Sequence, residues 1–313
     1  MNRNYIDNPK QVFSDTLIYL GKNNPDVVFI SCDTSLGCGA KEFQDLFPER
    51  HIEFGIQEQN AITQAAGLAL SGKIPFIGAH APFIVLRCVE QIRDDLCKTN
   101  AQVTVVGRDF GLQLSTCGPT HMILEDIGIL KNLPNLTIIA PADGPEYRQA
   151  LIASAETEGP KYIRLSRQPA KRVTPSDYTF QVGKANILRE GDDVSIFSTS
   201  TMVGKSLEAA EILKKTGIDA EVINVSTLKP VDRDTILSSS DKTKRVVTVE
   251  EHSVIGGLGS IVADILIKEN PIKMKMIGTN DCFAIIGQSY DELLDYYGFT
   301  GQKLASRIES FIM

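Results

Sequence analysis

The sequence lacks the long apolar runs and the short catalytic motifs that identify many protein classes. No stretch reaches 18 consecutive apolar residues, which predicts that no helix spans a membrane. The opening residues, MNRNYIDNPKQVF, carry no apolar core like that of a signal peptide, so we expect a cytoplasmic protein. The phosphate-binding patterns GxxxxGKS and GxxxxGKT and the nucleophile pattern GxSxG are absent, which argues against a P-loop NTPase and an α/β-hydrolase.

Cysteine and histidine are sparse and scattered. The cysteines include no CxxC pair, and the four histidines lie far apart in the sequence. A zinc site needs closely spaced Cys and His ligands, so we predict no dedicated metal site in this chain. Scattered cysteines without pairing motifs are typical of reduced thiols in a cytosolic protein. The six cysteines are Cys32, Cys38, Cys88, Cys97, Cys117 and Cys282.

Length and charge narrow the class further. A chain of 313 residues is long enough for two domains, and it can bury its core without disulfide or metal support. The 32 basic and 39 acidic residues give a net charge of −7, which disfavours a nucleic-acid-binding surface. The balance fits a soluble enzyme.

Apolar segments alternate with helical patterns through most of the chain, which predicts an α/β fold with two doubly wound domains and mainly parallel sheets. In the first part the buried strands are VVFISCD, IPFIGAH, QVTVVGR, LTIIA and KYIRLS, and in the second VSIFSTS, AEVINV and RVVTVE. Helices are predicted over Gln57 to Ser71 and Val85 to Leu96. The rhythm breaks in a proline-rich, charged stretch. We therefore predict one domain at 1–175, a linker at 176–189 and a second domain at 190–313.

Two glycine-containing segments are better explained by local structure than by ligand binding. GGLGS (256–260) opens a helix after a strand, yet it lacks the GxGxxG spacing. A packing role or an N-terminal turn explains it better. The single GD pair, at Gly191 and Asp192, leads directly into the strand VSIFSTS, and a turn before a strand is sufficient to explain it.

Glu58 is the most informative carboxylate. It lies in FGIQEQNAITQAAGLAL, just after a strand and a glycine, at the first turn of an alanine-rich helix. An acidic residue there can simply stabilise the helix dipole. The carboxyl end of a strand is also where open α/β sheets bind ligands. The residues alone leave both interpretations open.

A set of segments in order along the chain resembles the C-terminal half of transketolase, which contains the pyrimidine-binding domain and the C-terminal domain. The segments are FGIQEQN, GAHAPFIVLRCVEQIRDDL, GPTH, NLTIIAPAD, YIRLSRQ and VTVEEHSVIGGLGS. Each is weak alone, but their shared order and spacing cover nearly the whole chain. The resemblance implies a thiamine-diphosphate enzyme that transfers a two-carbon ketol unit from a ketose, phosphorylated or otherwise anionic, to an aldose.

The resemblance implies which residues bind the cofactor. Glu58 matches the glutamate that hydrogen-bonds N1′ of the aminopyrimidine ring and promotes loss of the thiazolium C2 proton, an acid–base role. Phe83 matches the aromatic residue that stacks on the pyrimidine. Leu86 and Val89 fall near positions that are aromatic in many transketolases, so the pocket wall is expected to be aliphatic here.

Further residues are implied at the substrate. His121, in GPTH, matches a catalytic histidine near the cofactor amino group and the bound substrate. Arg167, in LSRQ, matches an arginine that binds the substrate's terminal phosphate, and Arg108 is a candidate for a second positive contact.

The chain also departs from the transketolase pattern. The acidic pair before GPTH, whose second member contacts sugar hydroxyls, is replaced by Thr116 and Cys117. A phosphate-binding serine in the loop after the first strand is replaced by Gly37. Cys117 is therefore expected at the substrate site with altered recognition, and the substrate could be a modified sugar.

The GDG motif that holds magnesium and the cofactor diphosphate in these enzymes is missing. The resemblance therefore implies a partner, an N-terminal transketolase subunit with the GDG and Asn motif, which holds Mg²⁺ or another divalent cation. We expect an α2β2 heterotetramer active only when both chains are present. The alternatives are the β-subunit of a 2-oxoacid dehydrogenase or a deoxyxylulose-phosphate-synthase-like enzyme, and a noncatalytic partner subunit that keeps the fold.

Overall fold

A computed structural model describes residues 6–313, which form two α/β domains. The first part of the chain contains β1 (Ile6–Asp7), α1 (Pro9–Asn23), β2 (Val27–Ser31), α2 (Ser35–Cys38), α3 (Lys41–Leu46), β3 (His51–Glu53), α4 (Glu58–Leu70), β4 (Ile74–His80), α5 (Ala81–Leu86), α6 (Val89–Gln91), β5 (Thr104–Arg108), α7 (Asp126–Leu130), β6 (Thr137–Ile139), α8 (Gly144–Glu156), β7 (Lys161–Leu165) and β8 (Ala170–Lys171). A 3₁₀ turn (Pro48–Arg50) and a π-helical turn (Ile92–Cys97) complete this part.

The second part of the chain repeats the alternation of strands and helices. It contains β9 (Asn186–Arg189), β10 (Val194–Ser198), α9 (Met202–Lys215), β11 (Ala220–Asn224), β12 (Thr227–Lys229), α10 (Arg233–Thr243), β13 (Arg245–Ser253), α11 (Leu258–Glu269), β14 (Lys273–Thr279), α12 (Tyr290–Tyr296) and α13 (Gly301–Ile312). None of the helices described within 6–313 has both the length and the apolar character needed to cross a bilayer.

The first sheet has seven strands in the order β12-β6-β7-β5-β4-β2-β3. Six of them are parallel, and only β12 runs antiparallel to its neighbour β6. Strands β2, β5 and β7 are buried at every residue, because helices cover both faces of the sheet. This confirms the predicted doubly wound architecture.

The second sheet has five strands in the order β14-β13-β10-β11-β9. Its strands are parallel except β9, which pairs antiparallel with β11. Strand β9 lies within the predicted linker 176–189, so the last four residues of that stretch belong to the second sheet. None of the four residues of this short edge strand is buried, which explains why its sequence does not indicate a buried strand.

Two helices differ from the lengths that the sequence predicts. The helix predicted over Val85 to Leu96 consists of α5, α6 and the π-helical turn. The helix predicted over Gln57 to Ser71 is α4, with Gln57 and Ser71 as its two caps. The interruption of the first segment lies at Arg87 and Cys88, directly after α5.

Strand β12 connects the two domains. It follows β11 of the second sheet along the chain, yet it pairs with β6 at the edge of the first sheet. Ala140 also donates its backbone N–H to the Ser226 carbonyl, at 2.7 Å, just before β12. The sequence analysis did not predict this crossing, because a three-residue strand carries too little periodicity to be recognised.

A buried ion pair lies where the two domains meet. Arg164, on β7, donates through Nε to Oδ2 of Asp126 at 2.8 Å, and both side chains are fully buried. Tyr162 donates its hydroxyl to the same carboxylate, and the Arg164 guanidinium lies 4.5 Å from the centre of the Phe110 ring. Nε2 of His252, in the second domain, lies 3.8 Å from Oδ1 of Asp126. Burial lowers the pKa of His252 to about 4, so it is neutral at physiological pH.

We predict that Arg164→Met lowers the free energy of unfolding by about 3–5 kcal/mol, because it leaves the Asp126 carboxylate buried without its counter-ion. Chemical denaturation at a fixed protein concentration measures the loss. Arg93→Ala is the matched control, since Arg93 pairs with Asp94 at the surface and its loss should change stability by less than about 0.5 kcal/mol. Equal stabilities of the two variants would contradict a structural role for the buried pair.

Candidate active site

The carboxyl ends of the parallel strands in the first sheet carry most of the residues singled out from the sequence. Gly37 follows β2, Glu58 follows β3, and Phe83 follows β4. Arg108 ends β5, and Arg167 follows β7. Parallel strands end at one edge of a sheet, so residues distant in sequence meet there.

Glu58 begins α4 and is 2% exposed. Its Oε2 accepts a hydrogen bond from Nη1 of Arg87, at 2.6 Å. The Arg87 side chain is 44% exposed, so a half-exposed cation covers a buried anion. The sequence analysis missed Arg87. The residue stands inside one of the segments shared with transketolase, but nothing in the sequence indicates that its side chain reaches back to α4.

Three rings form a cluster beside this pair. Phe83 and His121 meet at 5.2 Å between ring centroids, with planes at 75°. His80 lies 5.8 Å from Phe83 and 6.2 Å from His121, also edge to face. The Arg87 guanidinium lies 5.1 Å from the centre of the Phe83 ring. The ring cluster therefore brings His121, which the sequence predicted, next to His80, which it did not.

Asp109 connects the ring cluster to the arginines. Its Oδ2 lies 2.8 Å from Nδ1 of His80, accepts from Nε of Arg108 at 2.7 Å, and is 3.6 Å from Nη1 of Arg167. Burial alone would raise the pKa of the Asp109 carboxyl, but the hydrogen bond from His80 and the charge of Arg108 outweigh it and lower that pKa. One carboxylate therefore neutralises only part of the positive charge around it.

The backbone of Asp109 has a φ of +58°, in the left-handed region that non-glycine residues rarely adopt. Such conformations persist where the surrounding contacts determine them, and they concentrate at functional sites. The turn redirects the chain at the end of β5, so that the carboxylate faces His80 and Arg167. A distinctive backbone of this kind leaves no reliable signal in the sequence, which is why Asp109 was not predicted.

The Arg108 guanidinium fills the space that a side chain at position 37 would need. A Cβ atom built on Gly37 would lie 1.7 Å from Nη1 of Arg108. A serine at this position, as expected in transketolases, would therefore collide with the guanidinium. The departure from the family pattern at Gly37 is thus coupled to the buried position of Arg108, whereas Arg167 stays half exposed.

Two predicted residues have surface positions. Leu86 is 45% exposed at the end of α5, close in sequence to Phe83 and Arg87. Cys117 is an exposed free thiol on the loop that carries His121. The role of Leu86 at the cofactor and that of Cys117 at the substrate remain predictions.

Buried cysteines line the interior beside Glu58. Burial and the neighbouring Glu58 charge raise the pKa of Cys32 and of Cys88 to about 12. Both thiols therefore stay protonated at physiological pH and are poor nucleophiles. Within residues 6–313, no group of three or more His, Cys, Asp and Glu side chains is arranged to hold a metal ion.

The second domain supports the loop between Asp109 and Asp126. The buried carboxylate of Glu251 accepts from the backbone N–H of Leu112 at 2.7 Å and from the hydroxyls of Thr201 and Tyr290. Gly287 donates its backbone N–H to the Ser115 carbonyl at 3.0 Å. Burial raises the pKa of Glu251, although these hydrogen bonds act against the rise. The loop with His121 is thus held from both domains.

The residues present fit an aminopyrimidine. A flat heteroaromatic ring needs an apolar face to stack on and a carboxylate for its ring nitrogen. Phe83 supplies a half-buried aromatic face and Glu58 a buried carboxylate, and a planar guanidinium already contacts both. The chain therefore offers both a stacking face and a carboxylate at one edge of the first sheet.

Comparisons with known proteins identify the family of both domains. Residues 8–172 match the family model of the transketolase pyrimidine-binding domain, and residues 183–304 match that of the transketolase C-terminal domain. A 6-deoxy-6-sulfo-D-fructose transketolase subunit of Clostridium sp. (strain MSTE9) is 38% identical over 94% of this chain and 91% of its own length.

Two further matches also cover nearly full chains. One subunit of the apulose-4-phosphate transketolase of Phocaeicola vulgatus is 34% identical over 97% of each chain. A solved structure described as a split gene transketolase, in an inactive β4 tetramer, is 38% identical with a TM-score of 0.89, covering 97% of this chain and 98% of the other.

We predict that Gly37→Ala weakens binding of inorganic phosphate or sulfate about tenfold. The added methyl group displaces the Arg108 guanidinium from Asp109. The Asp109 carboxylate then pairs with Arg167 instead, which leaves less positive charge for the anion. Titration followed by NMR measures the affinity. Gly67→Ala is the control, because a Cβ at Gly67 meets no atom within 4 Å. Unchanged anion affinity in Gly37→Ala would remove Arg108 from the anion site.

Proposed function

This chain belongs to the transketolase family, and we propose that it is the subunit carrying the pyrimidine-binding and C-terminal domains of a two-chain transketolase. The enzyme transfers a two-carbon ketol unit from a ketose to an aldose, with thiamine diphosphate as cofactor. One observation carries the proposal. A continuous set of contacts joins Glu58 at one end of the site to Arg108 and Arg167 at the other. It runs through Arg87, Phe83, His121, His80 and Asp109.

Each end of the site has a distinct proposed role. Glu58 binds N1′ of the pyrimidine, Phe83 stacks on the ring, and Leu86 completes an aliphatic wall. When bound, thiamine diphosphate supplies a carbanion and an electron sink for cleaving a bond next to a carbonyl group. His121 lies against Phe83, where it can exchange a proton with a substrate hydroxyl.

The substrate is proposed to carry an anionic group. Arg167 is half exposed and lies 3.6 Å from Asp109, and the buried Arg108 binds the same carboxylate. A guanidinium binds phosphate or sulfonate with paired, charge-assisted hydrogen bonds. One similar protein acts on a sulfonated sugar and another on a phosphorylated one by name. Cys117 cannot accept a hydroxyl hydrogen bond as a carboxylate does, so we propose altered recognition of the sugar hydroxyls beside it.

The cofactor's diphosphate is proposed to bind to a second polypeptide. The chain has no GDG motif, so a partner subunit with GDG and Asn holds the diphosphate and Mg²⁺ or another divalent cation. We propose an α2β2 heterotetramer, since such sites lie between chains related by two-fold symmetry. The free cysteines fit a cytoplasmic location, which is part of the proposal.

Reconstitution tests the proposal. The purified chain alone should bind thiamine diphosphate weakly and show no ketol transfer, because it lacks the residues for the charged end of the cofactor. Addition of a GDG-bearing partner subunit should restore both, measured by calorimetry and by a coupled assay with phosphorylated and sulfonated ketoses. Tight magnesium-dependent binding by the chain alone would refute the two-chain arrangement, and a cofactor-loaded complex without transferase activity would favour a noncatalytic role.

We predict that Glu58→Gln abolishes most turnover and leaves assembly intact. The amide has nearly the same shape, but it cannot share a proton with N1′. Deuterium exchange at C2 of the thiazolium should slow by roughly 10²–10⁴-fold in the reconstituted complex under saturating cofactor. Exchange at the wild-type rate would reduce Glu58 to a helix-terminal charge. Glu42→Gln is a matched control, since Glu42 is an exposed carboxylate on α3.

A further inference from the structure

Arg87 makes the two contacts that the proposed function reserves for the cofactor. Its Nη1 donates to Oε2 of Glu58 at 2.6 Å, and its guanidinium carbon lies 5.1 Å from the centre of the Phe83 ring. A guanidinium is planar, carries N–H donors along its edge and stacks on aromatic faces. A pyrimidine ring held by a carboxylate and a phenyl face uses the same surfaces.

We propose that Arg87 is a placeholder for the aminopyrimidine ring: it binds Glu58 and Phe83 in the cofactor-free chain and must swing outward when the cofactor binds. This inference rests on the proposed function, because it takes Glu58 and Phe83 as the pyrimidine site. It adds Arg87 to the cofactor site, as a residue that opposes cofactor binding.

Burial explains why a placeholder is needed. The Glu58 side chain is 3% exposed, and a carboxylate that loses water without gaining a partner is costly. Arg87 satisfies that carboxylate in the absence of cofactor. Its own side chain is 44% exposed, so it can leave toward solvent without breaking the packed interior. Glu58 is thus the fixed partner, and Arg87 is the movable one.

The chemistry of Glu58 explains why Arg87 must leave. Sharing a proton between the carboxyl group and N1′ requires a direct hydrogen bond between them. Arg87 occupies Oε2 of Glu58, so a persistent Arg87 contact would keep the ring nitrogen from that oxygen. Arg87 also lies beside Phe83, so one rotation of its side chain frees both the carboxylate and the ring face.

The placeholder should lower cofactor affinity by the free energy of its own contact, because the two occupants exclude each other. The diphosphate contacts of the proposed partner subunit would then supply the binding energy that displaces Arg87. The cofactor-binding conformation of Glu58 would be favoured only in the assembled enzyme. The isolated chain would keep its cofactor site closed.

The test titrates the full-length chain with 4-amino-5-hydroxymethyl-2-methylpyrimidine, the pyrimidine part of the cofactor. The chain has no tryptophan, so ligand-observed NMR is the readout. Arg87→Ala should lower the dissociation constant about two- to fivefold relative to wild type, the range expected for a half-exposed ion pair. The same gain should appear for thiamine diphosphate in the reconstituted complex, measured by calorimetry.

A second readout is independent of ligand binding. Removal of Arg87 leaves Glu58 buried and unpaired, so the melting temperature of the ligand-free chain should fall by about 1–4 °C. Saturating pyrimidine should raise the melting temperature of Arg87→Ala by more than it raises that of the wild type. Arg87→Gln serves if Arg87→Ala does not fold, and Arg93→Ala, which removes an exposed arginine a few residues further on, should change neither quantity.

The outcomes separate this inference from the proposed function. Equal or weaker pyrimidine binding in Arg87→Ala, with clear binding in wild type, would overturn the placeholder and show Arg87 as a residue that helps to hold the ring. Loss of all gain on a Glu58→Gln background would support it, because both effects act through one carboxylate. Absence of binding to every variant, and of thiamine diphosphate binding to the complex, would overturn the pyrimidine site itself.

Discussion

The buried pair of Arg164 and Asp126 is the interaction on which the site depends. Arg164 contacts Asp126 at one end of the loop 109–126 and the Phe110 ring at its other end. It therefore closes the loop that begins with Asp109 and carries His121. Since Arg164 lies within β7, the loop is fixed to the sheet. Breaking a buried pair of this kind leaves an uncompensated charge, so the geometry of the loop and the stability of the domain are linked.

The second domain contributes to the site without reaching it. Glu251 binds the backbone at Leu112, and Ser253 donates its N–H to the Leu124 carbonyl at 2.7 Å, so the strand β13 supports both sides of the loop. Gly287 adds a third backbone contact, at Ser115. Strand β12 extends the first sheet from the second half of the chain. Domain packing therefore sets the position of His121, although the second domain supplies none of the candidate site residues.

The charges of the site are arranged in two groups with opposite balance. At one end, a single buried carboxylate, Glu58, faces one movable cation, Arg87. At the other end, one carboxylate, Asp109, is shared by Arg108, Arg167 and His80. The first group has no excess charge until its cation leaves, whereas the second always has positive charge to offer. A ligand with a flat basic ring suits the first group, and an anionic one suits the second.

The sequence by itself determined the fold class, the succession of buried strands along the chain and the position of Glu58 at the start of α4. Apolar periodicity and helix-start signals act over neighbouring residues, so the local sequence contains them. Through the transketolase-like segments it also indicated Phe83, His121 and Arg167, and it suggested Arg108 as a second positive contact. Only the tertiary structure decided the Arg87–Glu58 contact, the shared Asp109 carboxylate, the coupling of Gly37 to Arg108 and the pairing of β12 with the first sheet. These contacts join residues from different loops or domains, and their partners are set by how the strand ends converge in space. Local sequence carries no record of that convergence.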